Sequence, residues 1–463
     1  MAIDRIRGSL AIAFLVLCLL LGGASGRGAG VHVNALLQAV SVVLILFALW
    51  TRGGAVYPAQ ARGVTWIVLL YLLLVAAMMI PLAPSIWGSL PGRGPIEAGY
   101  RLLGIDPPSL PASLGWSQSV ASILWILPPL AMFLLVERAS PRQRMRLAWV
   151  LIAVAAASIV AGAAQLLGGE GSSLRPYQIT NRHSPVGFFA NTNHFATLLL
   201  CALPLAGCLA ARAARRSRRP ERGGGIMIAA GIGILLLVGI GIVGSLAGYG
   251  LVLPVALASL LIYRRAAYGA IGTRWLAGFG LLFAAFIAFA VAGPVTTQSF
   301  SDELSSSQPA SRATLAATTL RAIDDYFPVG SGLGTFQEVY RTVDDPNRVS
   351  REYTNHAHND YLEIALELGL PGLLLVLAFI LWWARRSIAA WSADFEGSNI
   401  ARAGSVIILV VLLHSIVDFP IRTSAIASVF ALACALLVPY APPVEPRRAE
   451  DETDEPVRHL EAD

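Results

Sequence analysis

Repeated apolar blocks of membrane-spanning length constrain this sequence more than any other feature. The hydrocarbon core of a bilayer is about 30 Å thick, and a helix of roughly 20 apolar residues crosses it. The blocks therefore predict an all-α, polytopic membrane protein with about twelve transmembrane helices. The predicted spans are Leu10–Gly23, Val33–Trp50, Val64–Leu82, Ser117–Val136, Leu147–Leu167, Phe189–Ala211, Ile226–Val243, Tyr249–Tyr263, Leu276–Ala292, Leu366–Ala384, Val406–Phe419 and Ala425–Val438.

The overall composition supports a membrane protein. Of the 463 residues, 56% are hydrophobic and only 13% are charged, whereas soluble domains carry roughly a quarter charged residues. The composition excludes a soluble enzyme, a disordered scaffold and a secreted disulfide-rich domain. All four cysteines lie inside apolar blocks without CxxC spacing, so the sequence predicts neither a disulfide framework nor a zinc site.

The arginines predict the orientation of the chain. All 34 basic residues are arginines, which excludes lysine chemistry and leaves anion binding to guanidinium groups or backbone amides. Most of them lie in alternate connections, such as the run Arg212–Arg222. The positive-inside rule then places both termini in the cytoplasm. Between two spans such a basic run is an orientation signal, and we expect no nucleic-acid partner.

The chain divides into a membrane domain, residues 1–440, and an acidic, proline-rich tail, residues 441–463, which we expect to be cytoplasmic and disordered. A polar connection of about seventy residues, 294–363, separates the ninth and tenth spans on the outer face. Its sequence predicts a helix capped by Ser311 and stopped by Pro328, and a second helix at Thr335–Arg341. Loops of this length are usually functional.

Candidate catalytic residues concentrate just before the tenth span. His356, His358, Asn359, Asp360 and Glu363 lie within NHAHNDYLE. A histidine there can act as general base on a hydroxyl because imidazole titrates near neutral pH, and Asp360 or Glu363 would orient it. The alternatives are a metal site, which would need three converging ligands with defined partners behind them, and a polar loop capped by Asn359 or Asp360.

Two further polar groups occur at the outer ends of predicted spans. Asn193 and His194 begin the sixth span, where polar side chains are costly unless they pair or line a cavity. His414 and Asp418, four residues apart near the end of the eleventh span, are predicted to share one helix face. Each group is either part of a site or structural hydrogen bonding between helices.

Outward-facing arginines are the candidates for anion binding. Guanidinium binds phosphate bidentately, and Arg182 and Arg312 are the strongest candidates for holding a lipid diphosphate. Arg175 and Arg321 are weaker candidates, and for any single arginine the alternative is a solvated or headgroup-contacting role. The glycine-rich segment GSGLGTF, residues 330–336, lies on the outer face with no strand before it, so we interpret it as a turn rather than a phosphate-binding loop.

With these residues in view, the chain resembles the O-antigen ligase family, which includes lipopolysaccharide O-antigen ligases, Wzy-type polysaccharide polymerases and protein O-oligosaccharyltransferases. The resemblance runs over residues 182–421. Its most specific motif is a histidine, an Asn, Ser or Gln, nine residues and Gly-x-x-Gly, here His358-Asn359 followed by Gly369-Leu370-Pro371-Gly372. The segments 187–196, 327–336 and 414–420 also look like family blocks.

The resemblance implies a GT-C-like membrane glycosyltransferase that works at the periplasmic face without metal, nucleotide or other cofactor. Its donor would be a glycan on undecaprenyl diphosphate, and its acceptor lipid A–core for a ligase. It implies that His358 is the base and that Arg182 and Arg312 bind the diphosphate, with Asn193, His194, His356, Asn359, Asp360, His414 and Asp418 as substrate-binding candidates. Many members have Ser-Arg-Gly where this chain has Ser245-Leu246-Ala247. If that arginine contacts phosphate in the family, either another arginine replaces it here or the donor is held differently.

Two alternatives remain open at the level of sequence. A Wzy-type polymerase would use the same donor chemistry with a second lipid-linked repeat as acceptor, and one sequence does not separate it from a ligase. A polytopic transporter is the alternative from another class, favoured by charges at mid-membrane depth or by broken helices in repeated halves. Polar residues here gather instead at the outer ends of the spans.

Overall fold

The computed structural model describes residues 2–25, 30–51, 59–216, 224–268, 312–348, 354–392 and 397–440. Within these ranges the chain is almost entirely helical, and its one sheet pairs two two-residue strands. The predicted ninth span, the cap residue Ser311 and the C-terminal tail lie outside the described residues. The all-helical, polytopic prediction is confirmed, whereas the number twelve and the GT-C-like arrangement stay predictions.

The N-terminal third begins with three long apolar helices, α1 (Ala2–Leu21), α2 (Val31–Trp50) and α3 (Ala59–Met78). A polar excursion follows, in which strand β1 (Pro81–Leu82) pairs antiparallel with β2 (Leu110–Pro111) around the short helices α4 (Pro84–Gly88) and α5 (Gly94–Leu102). The predicted fourth span is then two helices, α6 (Trp116–Ile123) and α7 (Leu127–Val136), with a 3₁₀ turn between them. Pro128 and Pro129 open α7, where their missing N–H groups cost nothing.

The central spans are α8 (Pro141–Leu167), α9 (Thr192–Arg216), α10 (Gly224–Val243) and α11 (Leu246–Tyr268). A capping box in which Ser140 and Gln143 exchange hydrogen bonds begins α8. Helix α9 is the centre of the bundle, because 94% of its apolar window is buried inside the protein. It packs against α8, α10 and α11 and against a later helix, Ser398–His414. Its N-terminal residues are thereby surrounded by protein on several sides.

The C-terminal part carries helix α12 (Arg312–Tyr326) and helix α13 (Phe336–Val343) of the predicted outer connection. These are followed by α14 (Asp360–Ser392), α15 (Ser398–His414), a 3₁₀ turn (Pro420–Arg422) and α16 (Ser424–Leu437). Both helices predicted in the connection are therefore present. Helix α14 starts at Asp360 rather than at Leu366, so the first turns of the predicted span are polar and buried.

Gly369, the first glycine of the Gly-x-x-Gly motif, marks a kink in α14. Its backbone has φ +58°, and a Cβ at this position would collide with the carbonyl of Pro328. The glycine-rich turn docks here: Ser331 N–H donates to Leu366 O at 2.9 Å, and Leu370 N–H donates to Pro328 O at 2.9 Å. The segment is therefore a turn attached to the kink, and these amides are engaged within the protein.

Eight helices in the described ranges are long and apolar enough to cross a membrane. They are α2, α3, the α6–α7 unit, α8, α9, α10, α11 and α14, and two shorter apolar helices, α15 and α16, follow them. Every predicted span except Leu276–Ala292 overlaps a described helix. All four cysteines are buried and free.

Candidate functional site

The histidine of the signature motif has an unusual backbone conformation. His358 has φ +50° and is the one residue other than glycine with positive φ in the described part of the chain. Such a conformation costs on the order of 1–3 kcal/mol and persists when surrounding contacts determine it. It lies in the short segment between residue 354 and the start of α14, and its side chain remains 27% exposed.

The carboxylate beside His358 is that of Asp418. Nδ1 of His358 lies 3.4 Å from Oδ1 of Asp418, whose side chain is fully buried. Asp418 follows the end of α15 and precedes the 3₁₀ turn at Pro420. The prediction that Asp360 or Glu363 orients this histidine is therefore wrong: each of those carboxylates has other partners, and the orienting group comes from a segment distant in sequence.

Asp418 accepts several further contacts. Asn193 Nδ2 donates to Oδ2 at 2.6 Å, and the Phe419 N–H donates to Oδ1 at 2.9 Å. His194 Nε2 lies 3.8 Å from Oδ1. Burial by itself raises the pKa of a carboxyl, but the neighbouring imidazoles of His194 and His358 outweigh it and hold the pKa of Asp418 well below its usual value. Asp418 is therefore ionised throughout the physiological range.

Arg312 brings the outer connection to this site. It is the first residue of α12, and its guanidinium Nη2 lies 3.9 Å from Oδ2 of Asp418 while 31% of the side chain stays exposed. Arg312 therefore places a partly exposed cation beside the buried carboxylate. Arg182, the other predicted anion ligand, is exposed in the loop before α9 and donates to Gln178 O at 3.3 Å.

The predicted polar residues of α9 join the same network. Asn193 accepts a hydrogen bond from Ser245 Oγ at 2.7 Å as well as donating to Asp418. Ser245 precedes Leu246, the position at which the sequence departs from the Ser-Arg-Gly pattern. Ser245, the residue before this position, is therefore linked to Asp418 through Asn193 by two hydrogen bonds.

His414 and Asp418 do not share a helix face as predicted. Helix α15 ends at His414, and Asp418 lies beyond it in a turn. The Asp418 N–H donates to the His414 carbonyl at 3.0 Å. The His414 side chain is buried and shares a hydrogen bond with Thr197 Oγ1 of α9 at 2.8 Å. Its observed contact is thus a helix–helix hydrogen bond, next to the site rather than in its open part.

Phe419 lies among three histidines. The centroid of its ring is 4.8 Å from that of His358, 4.4 Å from that of His356 and 5.1 Å from that of His194. The Phe419 ring is buried, and each of the three imidazoles packs against its apolar surface. No sequence argument singled out this residue, although it stands directly after Asp418.

A second ionisable cluster surrounds Arg422. Its guanidinium lies 3.1 Å from Asp360 Oδ1, 2.9 Å from Glu363 Oε1 and 3.7 Å from Glu367 Oε2. Burial lowers the pKa of the Arg422 guanidinium, but Glu363, Glu367 and Asp360 together raise it above its ordinary value. The sequence did not single out Arg422, because the carboxylates that meet it lie on another helix.

His356 belongs to this cluster and not to the His358 pair. Its Nδ1 lies 2.9 Å from Glu363 Oε1, yet burial lowers its pKa more than Glu363 and their hydrogen bond raise it. It is therefore neutral at pH 7. Because His356 and His358 face different carboxylates, the HxHxD run does not converge, and no group of three His, Cys, Asp or Glu in the described ranges is placed to hold a metal ion.

A cavity of about 780 Å³ adjoins the Arg422 cluster. Its walls are largely apolar side chains of α2, α3, α7, α14 and α16, and Asn355, His356, Asp360, Glu363, Glu367 and Arg422 contribute the polar part. Asn359, the neighbour of His358, instead caps α14: its Oδ1 accepts from the N–H groups of Tyr361 and Leu362 at 3.0 Å.

Comparison with known proteins adds a family to this geometry. The family model described as O-antigen ligase matches residues 225–377. The match supports assignment of the chain to that family and an enzymatic activity of the ligase or polymerase type. It includes Arg312, His356 and His358, whereas Asn193, His194 and Asp418 lie outside the matched range. No curated protein sequence matches the chain.

Proposed function

We propose that this chain, whose residues 225–377 match the O-antigen ligase family, is a glycosyltransferase. It transfers a glycan from an undecaprenyl-diphosphate-linked donor to a hydroxyl of lipid A–core at the periplasmic face of the inner membrane. The observation that carries this proposal is the His358–Asp418 pair with Arg312 at its edge. The family match supports the reaction class, and the apolar helices support the membrane location.

His358 acts as the general base. A carboxylate only accepts hydrogen bonds, so Asp418 favours the tautomer with the proton on Nδ1 and leaves Nε2 to take a proton. Nε2 removes the proton of the acceptor hydroxyl while that oxygen attacks the anomeric carbon of the donor. The bond from this carbon to the diphosphate oxygen breaks, and its electron pair leaves with the diphosphate. Asp418 stabilises the imidazolium that forms, which then releases its proton to solvent.

Arg312 stabilises the departing diphosphate. Negative charge grows on the bridging oxygen as the bond breaks, and a preorganised guanidinium lowers the barrier most where that charge develops. The partial exposure of Arg312 and its position 3.9 Å from Asp418 Oδ2 support this role. Arg182 provides a second guanidinium, and Asn193, His194, His356, Asn359, Asp360 and His414 complete or support the substrate-binding surface.

The apolar cavity supports a lipid-linked substrate. Empty apolar volume on this scale is costly, so a cavity of about 780 Å³ among membrane-spanning helices favours a hydrocarbon chain. His356 lines this cavity and also contacts Phe419, the ring that packs on His358. A lipid chain held there therefore lies beside the residues that carry the chemistry.

A direct test compares His358→Ala with wild type in a complemented null strain, with surface-glycan laddering and protein level as readouts. We expect normal protein level and loss of the transferred glycan. Unchanged glycan would remove His358 as the base. The alternative, a Wzy-type polymerase with the same donor chemistry, is separated by the null strain itself. Accumulated lipid-linked polymer indicates a ligase, and core capped by single repeats indicates a polymerase.

A further inference from the structure

Arg422 joins the two chain segments that supply the halves of the His358–Asp418 pair. It stands four residues after Asp418, and its guanidinium reaches Asp360 at 3.1 Å and Glu363 at 2.9 Å at the start of α14. Asp360, Glu363 and Glu367 follow the i, i+3, i+7 spacing of one helix face. The arginine thus binds the helix that begins two residues after His358.

Glu363 continues this connection back to the histidine segment. One carboxylate oxygen, Oε1, binds both Arg422 Nη1 and His356 Nδ1 at 2.9 Å. The other, Oε2, accepts the N–H of Ala357 at 2.9 Å, immediately before His358. The contacts form a closed ring: Asp418 to Arg422 along the chain, Arg422 to Glu363, Glu363 to Ala357, and His358 back to Asp418.

Contacts on the far side of His358 complete the restraint. The Asp360 N–H donates to Ser415 O at 2.9 Å, and Asn359 Nδ2 donates to Ile416 O at 2.8 Å. The residue with positive φ is therefore held on both sides by hydrogen bonds, and those on one side depend on Glu363. Strained backbone of this kind persists only where its surroundings over-determine it.

Charge makes Arg422 necessary to this arrangement. Asp360, Glu363 and Glu367 are all buried, and close buried carboxylates repel one another unless a cation compensates them. A lysine in place of Arg422 keeps one positive charge but loses the planar fork that meets Asp360 with Nε and Glu363 with Nη1. Such a substitution weakens the geometry without removing the charge.

We propose that Arg422 is a positioning residue, which sets the distance between His358 and Asp418 through Glu363 and the Ala357 amide. The proposal rests on the proposed function for its kinetic consequence. Arg422 also lines the cavity, but it acts on the base through this ring of contacts and does not touch the reacting atoms. Asp360 belongs to the same ring of contacts through Arg422. This role explains why a buried carboxylate whose oxygens are all engaged lies two residues after His358.

The kinetic test uses Arg422→Lys alone and combined with Asp418→Asn in purified protein. Loss of positioning lowers kcat on the order of 10- to 100-fold with the KM for donor nearly unchanged. In the Asp418→Asn background the same change lowers kcat by less than about threefold, because the pair it positions is already broken. Equal fold-losses in both backgrounds, or unchanged kcat, would overturn the proposal.

A matched pair on α14 supplies a test that does not need activity. Glu363→Gln weakens the link to Arg422 and Ala357. Glu367→Gln alters a carboxylate that lies farther from Arg422, at 3.7 Å, and whose Oε1 accepts from Phe336 N–H at 3.3 Å rather than from the Ala357 amide. We expect faster amide hydrogen exchange at residues 357–360 in Arg422→Lys and Glu363→Gln, and wild-type exchange there in Glu367→Gln. Unchanged exchange in the first two overturns the positioning role. Absence of turnover in wild type with the expected exchange pattern instead rejects the proposed function.

Discussion

Nδ1 of His358 lies 3.4 Å from the carboxylate of Asp418, and these two residues come from segments that the sequence separates by two long helices. The histidine has left-handed backbone and partial exposure, and the aspartate is buried and ionised. In the proposed mechanism His358 takes the proton, and Asp418 orients the imidazole and stabilises its charged form.

Replacement of Asp418 tests that division directly. In Asp418→Asn the amide can donate to Nδ1 and favour the tautomer that is protonated on Nε2, so the base is blocked. We expect kcat to fall on the order of 10³-fold or more, by analogy with orienting aspartates elsewhere, while donor binding persists. The measurement is transfer of lipid-linked glycan by purified protein. A loss of less than about threefold would show that His358 does not depend on Asp418.

Arg312 and Arg321 form a matched pair on α12. Arg312 reaches Asp418, whereas Arg321 donates to Thr318 Oγ1 of its own helix at 3.1 Å. We expect Arg312→Ala to lower kcat by about 10²- to 10³-fold, since it removes a cation from the site of developing charge. Arg321→Ala should retain wild-type turnover. Similar kcat in the two variants would remove Arg312 from the site.

If the cavity holds the lipid chain of the donor, substitutions on the two faces of α3 should change the KM for the donor differently. Leu72 lines the cavity, and its neighbour Leu73 is 65% exposed on the outer surface. Leu72→Trp should raise the KM for a long-chain lipid-linked donor about tenfold, the loss expected for two buried methylenes. Leu73→Trp should leave it unchanged. A donor analogue with a short prenyl chain provides the internal control, because both variants should use it equally.

Stability should depend on pH through His356. Burial lowers the pKa of this imidazole below its ordinary value of 6.5. The unfolded chain therefore binds a proton here at higher pH than the folded chain, and stability is full above pH 6.5 and is lost as the pH falls below it. We expect the melting temperature of wild type to drop from pH 6.5 to 5 more than that of His356→Asn. Parallel curves would show that another group controls this dependence.

The signature glycine predicts a structural effect separate from catalysis. Gly369→Ala places a Cβ against Pro328 O at a backbone angle that L residues avoid, so we expect a loss of roughly 1–3 kcal/mol in unfolding free energy. Gly241→Ala is the control, because its Cβ would meet nothing within 4 Å. Thermal melts in detergent compare the two. An unaffected Gly369→Ala would mean that α14 can lose its kink.

Much of the helical architecture followed from sequence because apolar length and periodicity are local properties. The two helices of the outer connection, the turn at Gly330–Gly334 and the predicted spans in the described ranges are all present. The start of α14 was misplaced, since Asp360 and Glu363 are polar residues that only the distant Arg422 makes stable inside the protein. Helix α15 was extended too far, because the turn that carries Asp418 is apolar enough to resemble a span.

The sequence by itself determined that this chain is a membrane protein and that His358 belongs to a motif that resembles one of the O-antigen ligase family. Both results depend on residue type and spacing along the chain. Only the tertiary structure decided which carboxylate serves that histidine. Asp360 and Glu363 are close in sequence but turn with α14 toward Arg422, while Asp418 is brought to His358 by the packing of α15 against α9 and α14. Spacing along a chain does not encode such distant contacts, because they arise from how the helices pack.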